Sequence, residues 1–430
     1  MKVAIHSLGC KVNIYESEYV SDLLKKAGFE IVPFNSNNAD VYIINTCSVT
    51  NEADRKSRQT INRAKKENKD AIIVVMGCYS QVKPNNIDAD IVIGNKDKSK
   101  IVELINKVIE EKKSYQKIYN LREEKTFENM EISKFENHTR AFVKIQDGCN
   151  AFCSYCIIPY TRGRVRSKKM EDVIKEVKEL VNNGYKEIVL TGIHTGKYGL
   201  DLKDTNLEIL LNNLVQIKGL YRLRLSSIEI NEITDGIIKL IKDNKIMAKH
   251  LHIPLQSGSD KILKLMNRCY NIDFFIKRIK EIRKLIPDIS LTTDLIVGFP
   301  GETEKDFQDT ITTLKIINFT KIHTFPYSKR ENTKASEMKD QINGTIKKER
   351  VKKVLELSKQ SENTFYKKFI NKNGEGITEV KNNGQTIVHT TNFIPVIIDK
   401  TIDNNIIAEI TITCVTDNNY VYGKIIKEKA

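Results

Sequence analysis

The sequence predicts an α/β chain in three parts: an N-terminal doubly wound parallel-sheet domain, a central partial (β/α) barrel, and a small antiparallel β-barrel at the C-terminal end. Three observations predict it. Strand-like and helix-like patterns alternate through residues 1–112. The alternation resumes at Arg140 and runs through six more strand–helix repeats. Beyond residue 366 the texture changes to five short apolar runs with turn residues between them. The expected boundaries are 1–112, a linker over 113–137, 138–365 and 366–430; 430 residues are too many for one typical domain.

In the first part, Val3–Ser7, Val41–Asn45, Ile72–Met76 and Ile91–Ile93 read as strands. Tyr15–Ala27 (stopped by Gly28), Asn51–Lys66 and Lys98–Glu111 read as helices. Cys10, Cys47 and Cys78 each fall just beyond a strand, in Leu8-Gly9-Cys10, Thr46-Cys47 and Gly77-Cys78. Sites in open parallel sheets gather at that edge, so three cysteines far apart in sequence converge in space. They read either as three ligands of an iron–sulfur cluster or as three buried apolar cysteines. Residues 112–137 are rich in Lys, Glu and Asn with little apolar periodicity, and read as a linker.

The strand Phe142–Ile145 leads into Gln146-Asp-Gly-Cys-Asn-Ala-Phe-Cys-Ser-Tyr-Cys156, a C-x3-C-x2-C triplet of Cys149, Cys153 and Cys156. Three thiolates on one short loop can hold three irons of a four-iron cluster, leaving the fourth iron open, whereas electron-transfer clusters use four cysteines. Zinc sites favour paired C-x2-C units, and no second pair is present. The remaining strands are Glu187–Leu190, Leu223–Ser227, His250–Pro254, Leu291–Val297 and Ile322–Tyr327. Each runs into a polar or glycine-bearing loop at the face where barrel sites lie. His194 reads equally as a ligand contact or a loop cap. His250 and His252 alternate with apolar residues, as interior polar groups do; a direct role is also open to His252. Thr303-x-x-Asp306 reads as a capping box. Cys269 and Cys414 lack partner spacing and read as inert.

Lys347–Lys368 reads as a connecting helix. The runs 374–380, 384–389, 394–398, 406–413 and 420–426 read as the strands of the small barrel. There Lys381, Lys400, Lys424 and Lys427, with Tyr420 and Tyr422, form either an RNA-binding face or a solvated lysine face.

The net charge of +15 is compatible with a polyanionic partner, although Lys, Asn and Ile are abundant throughout. Eight cysteines without a signal-peptide pattern point to a reducing compartment, and the longest apolar runs, such as Ala71–Met76, are far short of a membrane span. A cytoplasmic protein with no membrane partner is expected.

The Cys149–Cys156 triplet resembles the radical S-adenosylmethionine (SAM) superfamily, in which the open iron binds the amino and carboxylate groups of SAM. Together with Gly9-Cys-Lys-Val-Asn13, Asn45-Thr-Cys-Ser-Val-Thr50, Gly77-Cys-Tyr79, Ile157-Ile-Pro-Tyr-Thr-Arg-Gly163 and His252-Ile-Pro-Leu-Gln-Ser-Gly258, it makes the whole chain similar to the methylthiotransferase family. Leu8–Asn13 and Leu190–Gly196 resemble its MtaB-like subgroup. That resemblance implies a radical SAM central domain and a C-terminal TRAM-like domain that binds RNA. It implies two 4Fe-4S clusters, on Cys10, Cys47 and Cys78 and on Cys149, Cys153 and Cys156. It also implies SAM contacts at Gly192, His194, Ser226, Ser227, Gln256, Ser257, Val297 and Gly298.

The implied reaction is methylthiolation of carbon-2 of N6-threonylcarbamoyladenosine beside the tRNA anticodon. One SAM is cleaved to a 5′-deoxyadenosyl radical and a second serves as methyl donor. The implied partners are tRNA, not DNA, and an electron donor such as flavodoxin or ferredoxin. Sister groups acting on isopentenyladenosine or on a ribosomal protein differ around the first cysteine. Ile14, where glutamine is frequent, and Asn332, where glycine is frequent, depart from the family pattern without removing a ligand. Arg162, Arg164 and Arg166 read equally as contacts for substrate carboxylate or phosphates and as ordinary surface arginines. The rivals are a radical SAM methyltransferase without sulfur insertion and an iron–sulfur RNA-binding regulator.

Overall fold

The computed structural model describes residues 1–36, 38–135, 138–380 and 384–429, so Lys381 and the last two residues of the expected linker lie outside the described residues. The N-terminal apolar runs form a six-stranded sheet in the order β2-β1-β3-β4-β5-β6, parallel at every pairing. Its strands are β1 Lys2–Ser7, β2 Glu30–Val32, β3 Val41–Thr46, β4 Ile72–Gly77, β5 Ile91–Ile93 and β6 Tyr115–Lys117. Side chains alternate between faces along a strand. Val3, Ile43, Val74 and Ile91 therefore pack on one side with helix α1 (Lys11–Lys26), and Tyr42, Ile44, Ile73 and Val75 on the other with helix α2 (Asn51–Glu67). Helices on both faces make this the doubly wound sheet expected.

The expected linker is structured. Its residues 115–117 add edge strand β6, and Met130, Ile132 and Phe135 are buried in the main core. These apolar residues have no helical or strand period, so the pattern hid them. Helix α1 starts at Lys11, four residues earlier than expected. Its N-cap is Cys10 in extended conformation with no side-chain cap, so the usual start signal is missing.

The central strands are β7 Arg140–Asp147, β8 Arg166–Ser167, β9 Glu187–Gly192, β10 Arg222–Leu225, β11 His250–His252, β12 Ser290–Val297 and β13 Lys321–Pro326. The groups β10-β9-β7-β8 and β11-β12-β13 are joined by parallel bridges Leu223–Met247 and Ser227–His252. Six parallel strands thus curve into the open barrel expected, with antiparallel β8 as an extra edge. Ala141, Val143, Ile188, Leu190, Leu223 and Leu225 pack outward under helices. Lys144, Gln146, Glu187 and Arg224, at the alternate positions, belong to the lumen-facing set.

The helix Gly344–Lys367 leads to a closed five-stranded barrel of β14 Asn373–Val380, β15 Thr386–Thr390, β16 Pro395–Ile398, β17 Ile407–Val415 and β18 Val421–Lys429. Four of its pairings are antiparallel as expected; β16–β18 is parallel, because the final strand closes the barrel beside a strand that runs the same way. Among the described residues no helix is long and apolar enough to cross a membrane.

Candidate active site

Cys10 follows β1, Cys47 follows β3 and Cys78 follows β4 directly, so three cysteines stand at the C-terminal ends of adjacent strands. Gly9 permits their approach. It sits at φ +97°, and a Cβ there would lie 2.7 Å from Cys47 Cβ and 2.8 Å from its sulfur. Burial pushes the Cys47 thiol up to about 12 and raises that of Cys10, with the neighbouring cysteines adding to it and Arg162 opposing it. The Cys10 and Cys47 thiols are therefore neutral without metal, and metal binding must displace their protons. Cys10 and Lys11 keep accessible surface, whereas Cys47 and Cys78 are buried. Burial, with Arg224 and Arg140 nearby, brings the Lys11 pKa down to about 8.

The second triad lies at the end of β7. Gly148 turns the chain at φ +72°, where a Cβ would stand 1.8 Å from Arg164 O, and Cys149 N–H donates to Gly163 O at 2.9 Å. The Cys156 N–H donates to Cys153 O (2.9 Å), and burial pushes the Cys156 thiol up to about 12. Two outside side chains reach these sulfurs. Arg268 donates to Cys153 Sγ at 3.4 Å and pairs with Glu229. His194 Nδ1 lies 3.2 Å from Cys149 Sγ and its Nε2 2.8 Å from Glu232. Burial would lower the His194 pKa, but Cys149 and Glu232 raise it to about 10. Three thiols on a glycine-turned loop with cationic donors to two sulfurs fit a cluster carrying net negative charge. Among the described residues, no three His, Cys, Asp or Glu side chains converge on the volume of a single metal ion. A cavity of about 250 Å³ adjoins the loop, lined by Cys153, His194, Glu229, Arg268 and Cys269. Cys269, read as inert, therefore faces the same cavity as Cys153.

The expected SAM contacts divide into two groups. Gly192, His194 and Ser226 gather beside the Cys149 loop. A Cβ on Gly192 would come within 3.1 Å of Gln146 Oε1, the His194 N–H donates to that same oxygen (2.7 Å), and Ser226 meets Thr195 at 3.0 Å. Ser227 and Gln256 bridge to His252 and Leu295 through backbone, Gln256 at φ +64°. Ser257, Val297 and Gly298 are held within the fold. The Ser257 hydroxyl accepts from Ser259 N–H (3.2 Å), and Val297 is fully buried. Gly298 N–H donates to Glu302 (2.6 Å), while Lys347 covers the side where its Cβ would be. His250 is buried against Thr292 (3.2 Å). His252 reaches Thr292 at 2.9 Å and Asp294 at 3.2 Å.

Neither reading of Arg162 and Arg166, as substrate contacts or as surface arginines, holds. Arg162 is fully buried on Glu16, Asp147 and Asn13, and Arg166 donates to Arg162 O at 2.9 Å and Arg164 O at 3.1 Å; only Arg164 is exposed. Buried Lys98 and Lys144 also pair with Glu16, at 3.4 and 2.7 Å. Burial would raise the Glu16 pKa, but Arg162, Lys144 and Lys98 hold it well below the usual carboxylate range. One signal was present in the sequence: Val12, Glu16 and Val20 lie at four-residue spacing on one helix face, so Glu16 interrupts an apolar stripe.

Comparison with known proteins agrees with this architecture. Residues 143–314 match the radical SAM superfamily and residues 2–94 match the "Uncharacterized protein family UPF0004". The chain is 44% identical over 411 residues to a "Threonylcarbamoyladenosine tRNA methylthiotransferase MtaB" of Bacillus subtilis, covering 93% of this chain and 91% of that one. It is 41% identical to the Aquifex aeolicus protein of the same name, over 86% of this chain and 90% of that one. It is 38% identical to a "tRNA-2-methylthio-N(6)-dimethylallyladenosine synthase" of Clostridium perfringens, over 82% and 80%. Among solved structures, the radical SAM methyltransferase TsrM of Kitasatospora setae superposes with TM-score 0.55 at 14% identity, over 78% of this chain and 77% of that one. The cobalamin-dependent radical SAM enzyme OxsB does so with TM-score 0.51 at 13% identity, over 82% and 56%. These two share the fold alone. Identity above 40% across nine-tenths of the chain, on a fold that brings each cysteine triad to a strand edge, shows that this chain belongs to the radical SAM methylthiotransferase family.

Proposed function

We propose that the protein methylthiolates carbon-2 of N6-threonylcarbamoyladenosine in tRNA, beside the anticodon. The observation that carries this reading is that two cysteine triads, from two different sheets, are both tied to the segment 161–163: buried Arg162 reaches the N-terminal triad through Asn13 and the second loop through Asp147, and Gly163 O takes the Cys149 N–H. A single triad suffices to cleave SAM; a second is needed where sulfur is also delivered. When bound, the cluster on Cys149, Cys153 and Cys156 supplies the electron that cleaves SAM, and the cluster on Cys10, Cys47 and Cys78 carries the sulfur to be inserted.

The chain's own residues hold and insulate that chemistry. Arg268 and His194 offset the charge of the Cys149 loop. Gly192, Ser226, Ser227 and the backbone of Gln256 border the SAM site, and Gln146 fixes the Gly192–His194 turn. Ser257, Val297 and Gly298 shape the loops behind it. Residues 1–112 carry the sulfur-delivering site, 138–365 the SAM site, and 366–430 form the TRAM-like barrel that grips tRNA through its phosphates. The target adenosine enters unstacked. The reaction belongs in the cytoplasm, where a low-potential donor such as flavodoxin or ferredoxin supplies electrons.

The test is a nucleoside mass profile of bulk tRNA from cells with and without this gene. Selective loss of the methylthio form of threonylcarbamoyladenosine, with the unthiolated form accumulating, is the expected result. Loss from isopentenyladenosine instead keeps the chemistry and moves the substrate; no change in either removes tRNA adenosine as the substrate.

A further inference from the structure

We propose that Arg162 is the positioning residue that locks the two cysteine triads into one fixed relation and keeps the reduction potential of the Cys10–Cys47–Cys78 cluster raised; this rests on the two-cluster reading above. Contacts from residues 161–163 reach all four cysteine loops. Arg162 Nη2 donates to Asn13 Oδ1 at 2.8 Å, and that oxygen accepts from Cys10 Sγ at 3.8 Å. Asn13 Nδ2 donates to Leu8 O (2.7 Å), two residues before Cys10, and to Thr46 O (3.0 Å), directly before Cys47. Thr161 O accepts from Asn95 Nδ2 at 2.9 Å, and the same nitrogen lies 3.6 Å from Cys78 Sγ. On the other side, Arg162 Nη1 stands 3.2 Å from both oxygens of Asp147, whose Oδ1 accepts from Gly148 N–H at 2.8 Å. Gly163 O takes the Cys149 N–H.

The charges are unbalanced in a useful direction. Lys98, Lys144 and Arg162 are buried around Glu16 and Asp147, and Glu128 also acts on Lys98; Arg166, also buried, is 3.9 Å from Asp147, so four cations meet three carboxylates. Surplus positive charge beside thiolate-ligated iron favours the reduced, more negative state, and so raises its potential. A salt-bridge network that only fastened two domains would need no such surplus, nor asparagine side chains at the sulfurs. Lysine in place of Arg162 keeps the charge but cannot reach Asn13, Glu16 and Asp147 at once, because the two-nitrogen fork is lost.

The experiment uses the full chain with iron and sulfide reconstituted, for wild type, Arg162→Lys, Arg162→Met, Glu16→Gln and Arg162→Met with Glu16→Gln. Iron per chain is counted, and the potential of each cluster is read by spin-resonance-monitored titration. Arg162→Met is expected to shift the N-terminal cluster to more negative potential and to shift the Cys149-loop cluster less. Glu16→Gln is expected to shift it to more positive potential, and the double variant to return towards wild type. Arg162→Lys is expected to leave the potential near wild type while raising 5′-deoxyadenosine formed per methylthiolated product. Unchanged potentials in Arg162→Met with both clusters bound overturn the proposal and leave the two-cluster reading intact. If that variant does not fold, an unchanged potential in Glu16→Gln overturns it equally. A wild-type chain that takes up only one cluster overturns the two-cluster reading itself.

Discussion

Arg330 and Asp54 stand 276 positions apart in the chain and meet at 2.8 Å with both side chains buried. Arg330 follows the last barrel strand, and Asp54 is in the first turn of α2, so this pair ties the central barrel to the N-terminal sheet. Arg330 also donates to Ser48 Oγ and Asn51 Oδ1, each at 2.8 Å. Arg330→Ala leaves Asp54 buried without its cation, an outcome that costs about 3–5 kcal/mol. The expected results are a lowered urea midpoint and new proteolytic cleavage between the N-terminal and central parts. Leucine at both positions removes the stranded charge and is expected to recover part of the loss. A midpoint for Arg330→Ala within about 1 kcal/mol of wild type would show that the pair does not hold these parts together.

The two triads are separable by mutation. Cys153→Ala removes a thiol from the loop that Arg268 and His194 attend, and SAM cleavage is expected to vanish. Cys47→Ala leaves that loop intact, so 5′-deoxyadenosine is expected to form while methylthiolated product does not. Full product from Cys47→Ala would refute the sulfur-delivering role of the N-terminal triad.

Two glycines offer a graded comparison. Gly148 and Gly301 both have positive φ, but a Cβ on Gly148 meets backbone at 1.8 Å, whereas one on Gly301 finds only Leu265 at 3.7 Å. Gly148→Ala must move the Cys149 loop; loss of its iron absorbance is expected. Gly301→Ala carries only the backbone strain, about 1–2 kcal/mol, and iron content is expected to stay. Equal iron in both proteins would mean that the Gly148 turn does not set the ligand geometry.

Much of this was legible because it is periodic or punctuated. The six parallel barrel strands and the five short strands of the last barrel are apolar runs ended by turn residues, and the strand-edge cysteines follow from that reading. What was missed depends on distant partners. Residues 113–137 bury Met130 and Phe135 singly, without period. The parallel β16–β18 pairing is a matter of closure, which no local run records. Arg162 carries the composition of a surface residue, and only Glu16, Lys144 and Asp147 arriving from two other elements make it a buried hub.

Glu187 gives a pH dependence. Burial would raise its pKa, but Arg224, at 2.7 Å, Arg222, at 3.3 Å, and Arg140 bring it down to about 2. Arg222 also donates to His389 O of β15 at 2.9 Å, so this cluster joins the two barrels. A depressed carboxylate contributes stability that is present above its unfolded pKa and lost as pH falls through the folded one. Stability on the order of 3 kcal/mol is therefore expected to drain away between about pH 4.3 and pH 2. Urea midpoints for wild type and Glu187→Gln across this range are expected to converge as the pH falls. Curves that stay parallel would show that Glu187 is not depressed.

The last barrel carries a groove of about 690 Å³ bordered by Lys400, Thr413, Tyr422, Lys424 and Lys427. Lys424 and Lys427 are exposed, whereas Lys400 is already paired with Glu428 at 3.1 Å. If this groove takes the tRNA backbone, Lys424 and Lys427 each displace one phosphate counterion, and Lys400 contributes less because it must first leave its carboxylate. Replacing Lys424 and Lys427 with alanine is expected to weaken tRNA binding and to flatten the plot of log affinity against log salt by roughly 2; Lys400→Ala is expected to change the slope by less than either. SAM cleavage in the absence of RNA is expected to be untouched, because the groove contains none of the cluster cysteines or their neighbours. A salt slope unchanged in the double variant would place the phosphate contacts on another face and leave these lysines as solvent-facing charge.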